Sequence, residues 1–177
     1  YRLGKMNMNN VANGTKKMST NSVMSSPNGA SNNLGNYMNA PISMKMNMHM
    51  FGGMYAPSDN LTFMIMSSYQ EKVMTQQRMP MAGGSRFNIN SSGFSDTRIS
   101  TLINIFNNDL TKTHIGTGLS LPTGSIDQRD ATPASSNTRL GYSMQNGTGT
   151  YDALFFLNNI NKFGKLKIGE QFLYKKA

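Results

Sequence analysis

The sequence contains no cysteine and no tryptophan among its 177 residues. The lack of cysteine excludes a disulfide-stabilised scaffold and a thiolate metal site, and it is compatible with an oxidising compartment. Charged residues make up only 14% of the chain, fewer than a disordered tail carries. Hydrophobic residues reach only 37%, so we expect either a polar interior or long polar loops.

Long apolar runs are also missing. No stretch approaches the ~20 residues that a membrane-spanning helix requires, which excludes a helical membrane protein but not a barrel of strands. The chain begins at Tyr1 inside an alternating segment, with neither an initiator methionine nor a basic and apolar leader. We therefore expect the sequence to be a piece of a longer protein.

Acidic residues are scarce, with 8 Asp and Glu against 17 Lys and Arg, and the formal net charge is +9. The basic residues occur singly or in pairs, as at Lys16 and Lys17, and form no dense block. Nucleic-acid binding depends on a clustered basic footprint. The pattern therefore predicts no nucleic-acid partner and favours basic loops or a basic lumen.

Methionine is abundant instead, with 16 residues, and its clearest pattern lies between Met44 and Tyr69. Four methionines at positions 44, 46, 48 and 50 alternate with polar side chains, which is the period of a β-strand. The residues of 56–60 supply turn chemistry, and an apolar alternation resumes at Leu61. This stretch predicts a β-hairpin.

Seven segments alternate in this way, at about 1–9, in the two arms of the methionine hairpin, and at 94–106, 113–121, 150–158 and 165–174. We expect one domain over residues 1–177, with long polar loops at about 10–40, 70–93 and 122–149 and short turns between them. Alternating long and short connections are typical of an antiparallel up-and-down transmembrane β-barrel. A soluble β-sandwich acting as a binding module stays open, because alternation alone does not separate a lipid face from a core face.

The polar faces of these strands carry Gly, Ser, Thr and Asn with occasional basic residues, which suits the wall of a lumen. In the first arm of the hairpin, Lys45, Asn47 and His49 predict the lumen face, so Met44 to Met50 would point to lipid. A bulge at Gly52 and Gly53 could change the phase. The predicted lumen and solute-contact residues are Thr62, Met64, Met66, Arg98, Ser100, Gly116, Gly118, Lys165 and Lys167.

The sequence has no catalytic constellation. Two histidines, no cysteine and no Gly-rich phosphate loop predict a protein that is not an enzyme and needs no cofactor. Asp96 and Arg98 share a strand face, where we expect a structural ion pair.

Soft thioether ligands leave one alternative open, a periplasmic or surface copper-binding protein. Its ligands would be Met44, Met46, Met48, His49 and Met50. The period of two sends His49 to the face opposite the methionines, so one strand cannot close such a site.

Four motifs occur in an order that resembles a known family. They are Met-His-Met-Phe-Gly-Gly-Met-Tyr-Ala-Pro-Ser-Asp-Asn-Leu-Thr at 48–62, Ser-Ser-Gly-Phe-Ser-Asp at 91–96, Gly-Leu-Ser-Leu-Pro-Thr-Gly-Ser-Ile-Asp at 118–127 and Met-Gln-Asn-Gly-Thr-Gly-Thr-Tyr-Asp at 144–152. The sequence is similar in these motifs to the outer-membrane proteins of the meta-pathway of phenol degradation family, whose members are often labelled transporters.

The resemblance implies a porin-like β-barrel in the outer membrane of a Gram-negative bacterium, which takes up small hydrophobic or aromatic compounds. It carries no established binding or catalytic residue to this chain. The basic side chains among the predicted lumen residues add a preference for anionic aromatic solutes. The expected partners are the lipid bilayer and these solutes, and the oligomeric state stays open.

Overall fold

The computed structural model describes residues 1–26 and 37–176, so part of the predicted loop at 10–40, residues 27–36, lies outside the described residues. The described chain is all-β, with 69% strand and 7% helix. Its antiparallel strands form a curled half-barrel sheet with seven strand positions. The predicted all-β antiparallel class and the seven strands are confirmed.

The elements are β1 (Arg2–Asn9), β2 (Val11–Asn13), β3 (Lys16–Met18), α1 (Thr20–Met24), β4 (Asn39–Ser58), β5 (Leu61–Arg78), a 3₁₀ helix (Pro80–Ala82), β6 (Arg86–Phe94), β7 (Thr97–Asn107), β8 (Thr111–Leu121), β9 (Arg129–Thr132), β10 (Ser135–Arg139), a second 3₁₀ helix (Tyr142–Met144), β11 (Asp152–Phe163) and β12 (Leu166–Lys176).

The main sheet follows the order β1, β4, β5, β7, β8, β11, β12, and β6 pairs with β5 beyond the end of β7. The strands β6 and β7 lie end to end beside the long β5, so together they fill one position. Two short hairpins, β2 with β3 and β9 with β10, stand apart from the main sheet.

The loop predicted at 70–93 is wrong. The strand β5 continues to Arg78, and β6 begins at Arg86, so the connection is only residues 79–85. The segment from Gln70 to Arg78 contains few apolar residues and therefore reads as a loop. It is nevertheless a strand, because its backbone pairs with β4 on one side and with β6 on the other.

The described residues of the other two predicted loops lie outside the main sheet, except 39–40, which begin β4. Residues 10–26 hold the β2–β3 hairpin and α1, and residues 122–151 hold the β9–β10 hairpin and the second 3₁₀ helix. Turns at the opposite end are short, at 59–60, 108–110 and 164–165, and Gly164 adopts a φ of +62° in the last of these. The asymmetry between the two ends is therefore present, although 70–93 does not contribute to it.

The register assigns every side chain to one of two faces. On one face, Met64, Ser100, Gly118 and Leu154 form a row across β5, β7, β8 and β11. This face is concave, because side chains from β4 and from β12 line a common cavity although four strand positions separate them. The convex face carries the row beside it, namely Phe63, Thr101, Thr117 and Phe155.

Glycine allows a close approach of β7 and β8 on the concave face. A Cβ atom at Gly118 would lie 2.6 Å from Cβ of Ser100 and 2.7 Å from the carbonyl oxygen of Ile99. A Cβ atom at Gly116 would lie at the same distance of 2.6 Å from the side chain of Leu102. The absence of side chains therefore lets the two strands pack more tightly than larger residues would permit.

We predict that Gly118→Ala destabilises the fold, because the added methyl group meets backbone and Cβ atoms that cannot move away. Overpacking of this kind costs about 1–3 kcal/mol. Gly53→Ala is the matched control, since its Cβ would meet only Cγ2 of Ile65 at 3.6 Å. Urea titration of both variants and of the parent checks the expectation, and equal midpoints for the two variants would contradict it.

Candidate functional site

The methionines of β4 lie on the concave face, which corrects the predicted lipid orientation of Met44 to Met50. The β4–β5 register runs without interruption from Ser43 to Tyr55, and no bulge occurs at Gly52 and Gly53. Gly52 is opposite Met66 and Met54 is opposite Met64, so the even-numbered residues of both strands share one face. The predicted lumen face took odd-numbered residues in the first arm and even-numbered residues in the second, and this difference between the arms is therefore wrong.

We call residues 122–149 the inward segment. They fold over the part of the concave face that lies away from the short turns. Leu140 and Met144 from this segment form a buried cluster with Met44, Met74 and Ile89 of the sheet. Flexible thioether side chains fill such irregular contacts well. The contact explains why the methionines of β4 point inward, since Met44 has an apolar partner there.

Lys72 of β5 binds the inward segment through hydrogen bonds to its backbone. Its Nζ atom donates to the carbonyl oxygen of Gln145 at 2.6 Å and to that of Ser143 at 3.4 Å. Oγ of Ser91 adds a hydrogen bond of 2.7 Å to the carbonyl oxygen of Met144. Burial lowers the pKa of the Lys72 ammonium group from its usual value. The sheet thus offers donors to three successive carbonyls of the covering segment.

Asp96, between β6 and β7, holds the two ends of the inward segment. Its carboxylate accepts hydrogen bonds from the backbone N–H of Gly124 at 3.0 Å, and from the N–H and the hydroxyl of Thr148 at 2.8 Å each. Hydrogen bonds to an ionised group are stronger than neutral ones. In the described part of the chain Asp96 forms no ion pair with Arg98. The expected structural pair is therefore replaced by an anchor for the segment.

A cavity of about 270 Å³ lies between the inward segment and the wall of the sheet. Its apolar part consists of Met48, Met50 and Met66, and its polar part includes Arg98 and Asn146. Among the described residues, neither amide atom of Asn146 has a hydrogen-bond partner, although this residue is only 6% exposed. Leaving a buried polar group unpaired costs about 1–3 kcal/mol, so this amide is an unsatisfied hydrogen-bonding group in a residue that lines the cavity.

Two basic side chains reach the cavity, and their surroundings differ. Nζ of Lys175 lies 2.6 Å from a carboxylate oxygen of Asp152, which is almost completely buried. Arg98 forms no ion pair and no hydrogen bond with the residues that the structure describes. Arg98 is therefore the basic lining residue without a direct partner in the described chain, while Asp96 lines the same cavity and Asp152 lies within electrostatic range of the guanidinium group.

The structure brings together only part of the predicted lumen set. Met66 and Arg98 line the cavity, and Met64, Ser100 and Gly118 form the next row down the concave face. Thr62 and Gly116 lie one row further, with Leu102 between them.

The two predicted lysines, Lys165 and Lys167, lie far from the cavity, at the end of the sheet that carries the short turns. Lys165 is in the turn after β11, and Lys167 pairs with Lys162 beside it. Ten residues of β11 separate Asp152 from Lys162, which corresponds to about 33 Å of strand.

The alternative copper site does not assemble from its predicted ligands. Nδ1 of His49 lies 2.8 Å from the hydroxyl of Tyr1, on the convex face. Met44, Met46, Met48 and Met50 lie on the concave face, so the sheet separates the two types of ligand. Among residues 1–26 and 37–176, no group of three or more His, Asp and Glu side chains could hold a metal ion.

Asn146, Lys72, Asp152 and Lys175 were not predicted as site residues. Their roles depend on contacts between distant parts of the chain, such as the hydrogen bond from Lys72 to Gln145. Residues 144–152 do contain closely spaced glycines, and Gly147 contacts Gly124 so closely that a Cβ atom would overlap the facing backbone. That spacing was the signal for a compact segment in this region.

Comparison with protein-family profiles, curated proteins and solved structures finds no match to this chain. The resemblance to the phenol-degradation family therefore stays a prediction. None of the described helices has the length and the apolar character needed to cross a membrane.

We predict that Asp96→Asn loosens the inward segment, because the neutral amide weakens three charge-assisted hydrogen bonds. Hydrogen exchange of peptides from residues 122–149 should become at least about tenfold faster. Asp127→Asn is the matched control, since its exposed contacts with Arg129 and Arg139 contribute little. Unchanged exchange in Asp96→Asn would contradict the anchoring role.

Proposed function

We propose that the chain forms part of an outer-membrane β-barrel that allows small hydrophobic or aromatic solutes to pass, without catalysis. The observation that carries the proposal is the contrast between the two faces of the sheet. On β7, β8, β11 and β12 the convex face is mainly apolar and is not covered by described residues, whereas the concave face of β7 and β8 carries mainly small and polar residues and is partly covered by the inward segment. On β1 and the adjoining half of β4 the pattern is reversed, with Lys5, Asn7, Lys45, Asn47 and His49 on the convex face and methionines on the concave face. A transmembrane barrel needs the first of these arrangements, with apolar side chains outward and polar ones inward.

The convex face supports the proposal with continuous apolar rows. One row contains Leu61, Ile103, Ile115, Leu157 and Phe172, and another contains Ile65, Ile99, Leu119 and Ala153. No second layer formed by residues 1–26 and 37–176 packs on these side chains, since Ile115 and Leu119 are each 42% exposed and Phe172 is 64% exposed. Exposed patches of this extent mark contact with lipid or with another protein.

Along the strands, the apolar rows are bordered at both ends by aromatic or polar residues. On β5 the convex positions beyond Tyr69 are Glu71, Val73 and Thr75, and Tyr69 contacts Phe94 edge-on with ring centroids 5.3 Å apart. Aromatic side chains at such a border are typical of the membrane interface. Near the short turns, Oγ1 of Thr113 donates to Asn159 at 3.0 Å, and Glu170 lies opposite that asparagine. Glu170 thus belongs to a polar row at the other border.

Strand lengths also agree with a barrel. The strands β7, β8 and β12 each contain 11 residues and β11 contains 12, close to the ~9–11 residues that a tilted strand needs to cross a bilayer. The strands β4 and β5 are longer, with 20 and 18 residues, and their polar ends extend past the apolar rows. Closure in a bilayer would require partners for the outer edges of β1 and β12.

Passage of solutes is tested with the full-length protein in planar bilayers and in vesicles. We expect a measurable conductance and uptake of aromatic solutes. Met50→Trp should lower the conductance, because the larger side chain narrows the cavity, whereas Phe51→Trp places the same side chain on the convex face and should leave the conductance unchanged. No conductance and no uptake, or equal effects of the two variants, would overturn the proposal.

A further inference from the structure

The cavity between the inward segment and the sheet combines three features that no structural role in the described chain uses. It has an apolar side formed by Met48, Met50 and Met66, a buried amide without a partner at Asn146, and a guanidinium group without a direct ion-pair partner at Arg98. Its volume of about 270 Å³ lies near the lower limit of known ligand pockets. A bound molecule would therefore be small.

Asn146 is held in place by its neighbours rather than by its own side chain. Its backbone N–H donates to the carbonyl oxygen of Ser125 at 3.1 Å, and the preceding residue, Gln145, accepts the hydrogen bond from Lys72. Its amide lies against Gly93, where a Cβ atom would come within 2.9 Å of Nδ2. The missing side chain at Gly93 thus leaves room for this amide at the cavity wall.

The charges around the cavity distinguish between possible solutes. Lys175 is neutralised by Asp152, and Asp96 is surrounded by the three donors of the inward segment. These neutral donors leave Asp96 its negative charge but occupy both of its oxygens, so Arg98 is the charged lining residue that has no direct partner in the described chain. Guanidinium groups bind planar carboxylates through paired hydrogen bonds, and the thioether side chains favour contact with an apolar or aromatic body.

We propose that this cavity is a binding site for a small amphipathic monoanion, whose anionic head contacts Arg98 and Asn146 while its apolar body contacts the methionines. The inference rests on the proposed function, because it takes the cavity as part of the path of the solute. It goes further by assigning the head-group recognition to these two residues. Lys165 and Lys167, at the far end of the sheet, do not take part.

The test measures binding of benzoate and of benzyl alcohol, a neutral compound of similar size, to the full-length protein in detergent by ligand-observed NMR titration. The parent should bind benzoate more tightly than benzyl alcohol. Arg98→Gln should weaken benzoate binding at least about tenfold and leave benzyl alcohol unaffected. Arg98→Lys should retain part of the preference, since it keeps the charge but loses the paired geometry.

Two further variants make the result specific. Asn146→Leu should also reduce the preference for benzoate, because it removes the amide donor at similar size. Lys45→Gln removes one positive charge from the convex face of β4 and should leave both affinities within about twofold of the parent, since exposed charges are screened over about 10 Å. Equal binding of the two compounds by the parent, or equal effects of Arg98→Gln and Lys45→Gln, would overturn the inference.

The measurement in detergent involves no transport and therefore separates this site from the channel. A protein that conducts but binds benzoate no better than benzyl alcohol would overturn the site and leave the proposed function standing. A protein that binds benzoate through Arg98 but gives no conductance or uptake would support the site and remove the proposed function.

Discussion

The unbroken hydrogen-bonded register between β4 and β5 determines which side chains share a face, and the rest of the structure depends on it. Because side chains in a strand alternate with a period of two, a shift of one residue would exchange the whole methionine set with Lys45, Asn47 and His49. The observed register puts the methionines on the side of the inward segment. It also aligns Leu61 and Ile65 with the apolar rows that continue across β7, β8 and β11.

The inward segment determines which groups line the covered part of the concave face. Lys72 and Asp96 bind its backbone, and Leu140 and Met144 pack on the sheet. These contacts form a wall opposite Arg98 and leave a small cavity between them. In the proposed channel this wall would narrow the path of a solute, and the same contacts that stabilise the fold would place Asn146 beside that path.

Much of this architecture follows from the sequence, and the exceptions have physical reasons. Alternation predicted seven strands, because the side chains of an antiparallel sheet face two different surroundings. The strand from Gln70 to Arg78 was missed because both of its faces are largely polar, and its pairing with β4 and β6 is a long-range property. The phase of Met44 to Met50 was wrong because a methionine side chain suits lipid and a packed interior equally well. The anchors Lys72 and Asp96 act on backbone groups, which leave no mark in residue types.

The central claim is that the convex face contacts lipid, and neighbouring residues of β8 test it most directly. Ile115 lies in an apolar row of that face, whereas His114 points to the concave side, opposite Asn158. In vesicle insertion assays with the full-length protein, Ile115→Arg should reduce insertion strongly, since an arginine facing the bilayer centre costs about 2–4 kcal/mol. His114→Arg should insert like the parent. Equal insertion of both variants would contradict the account.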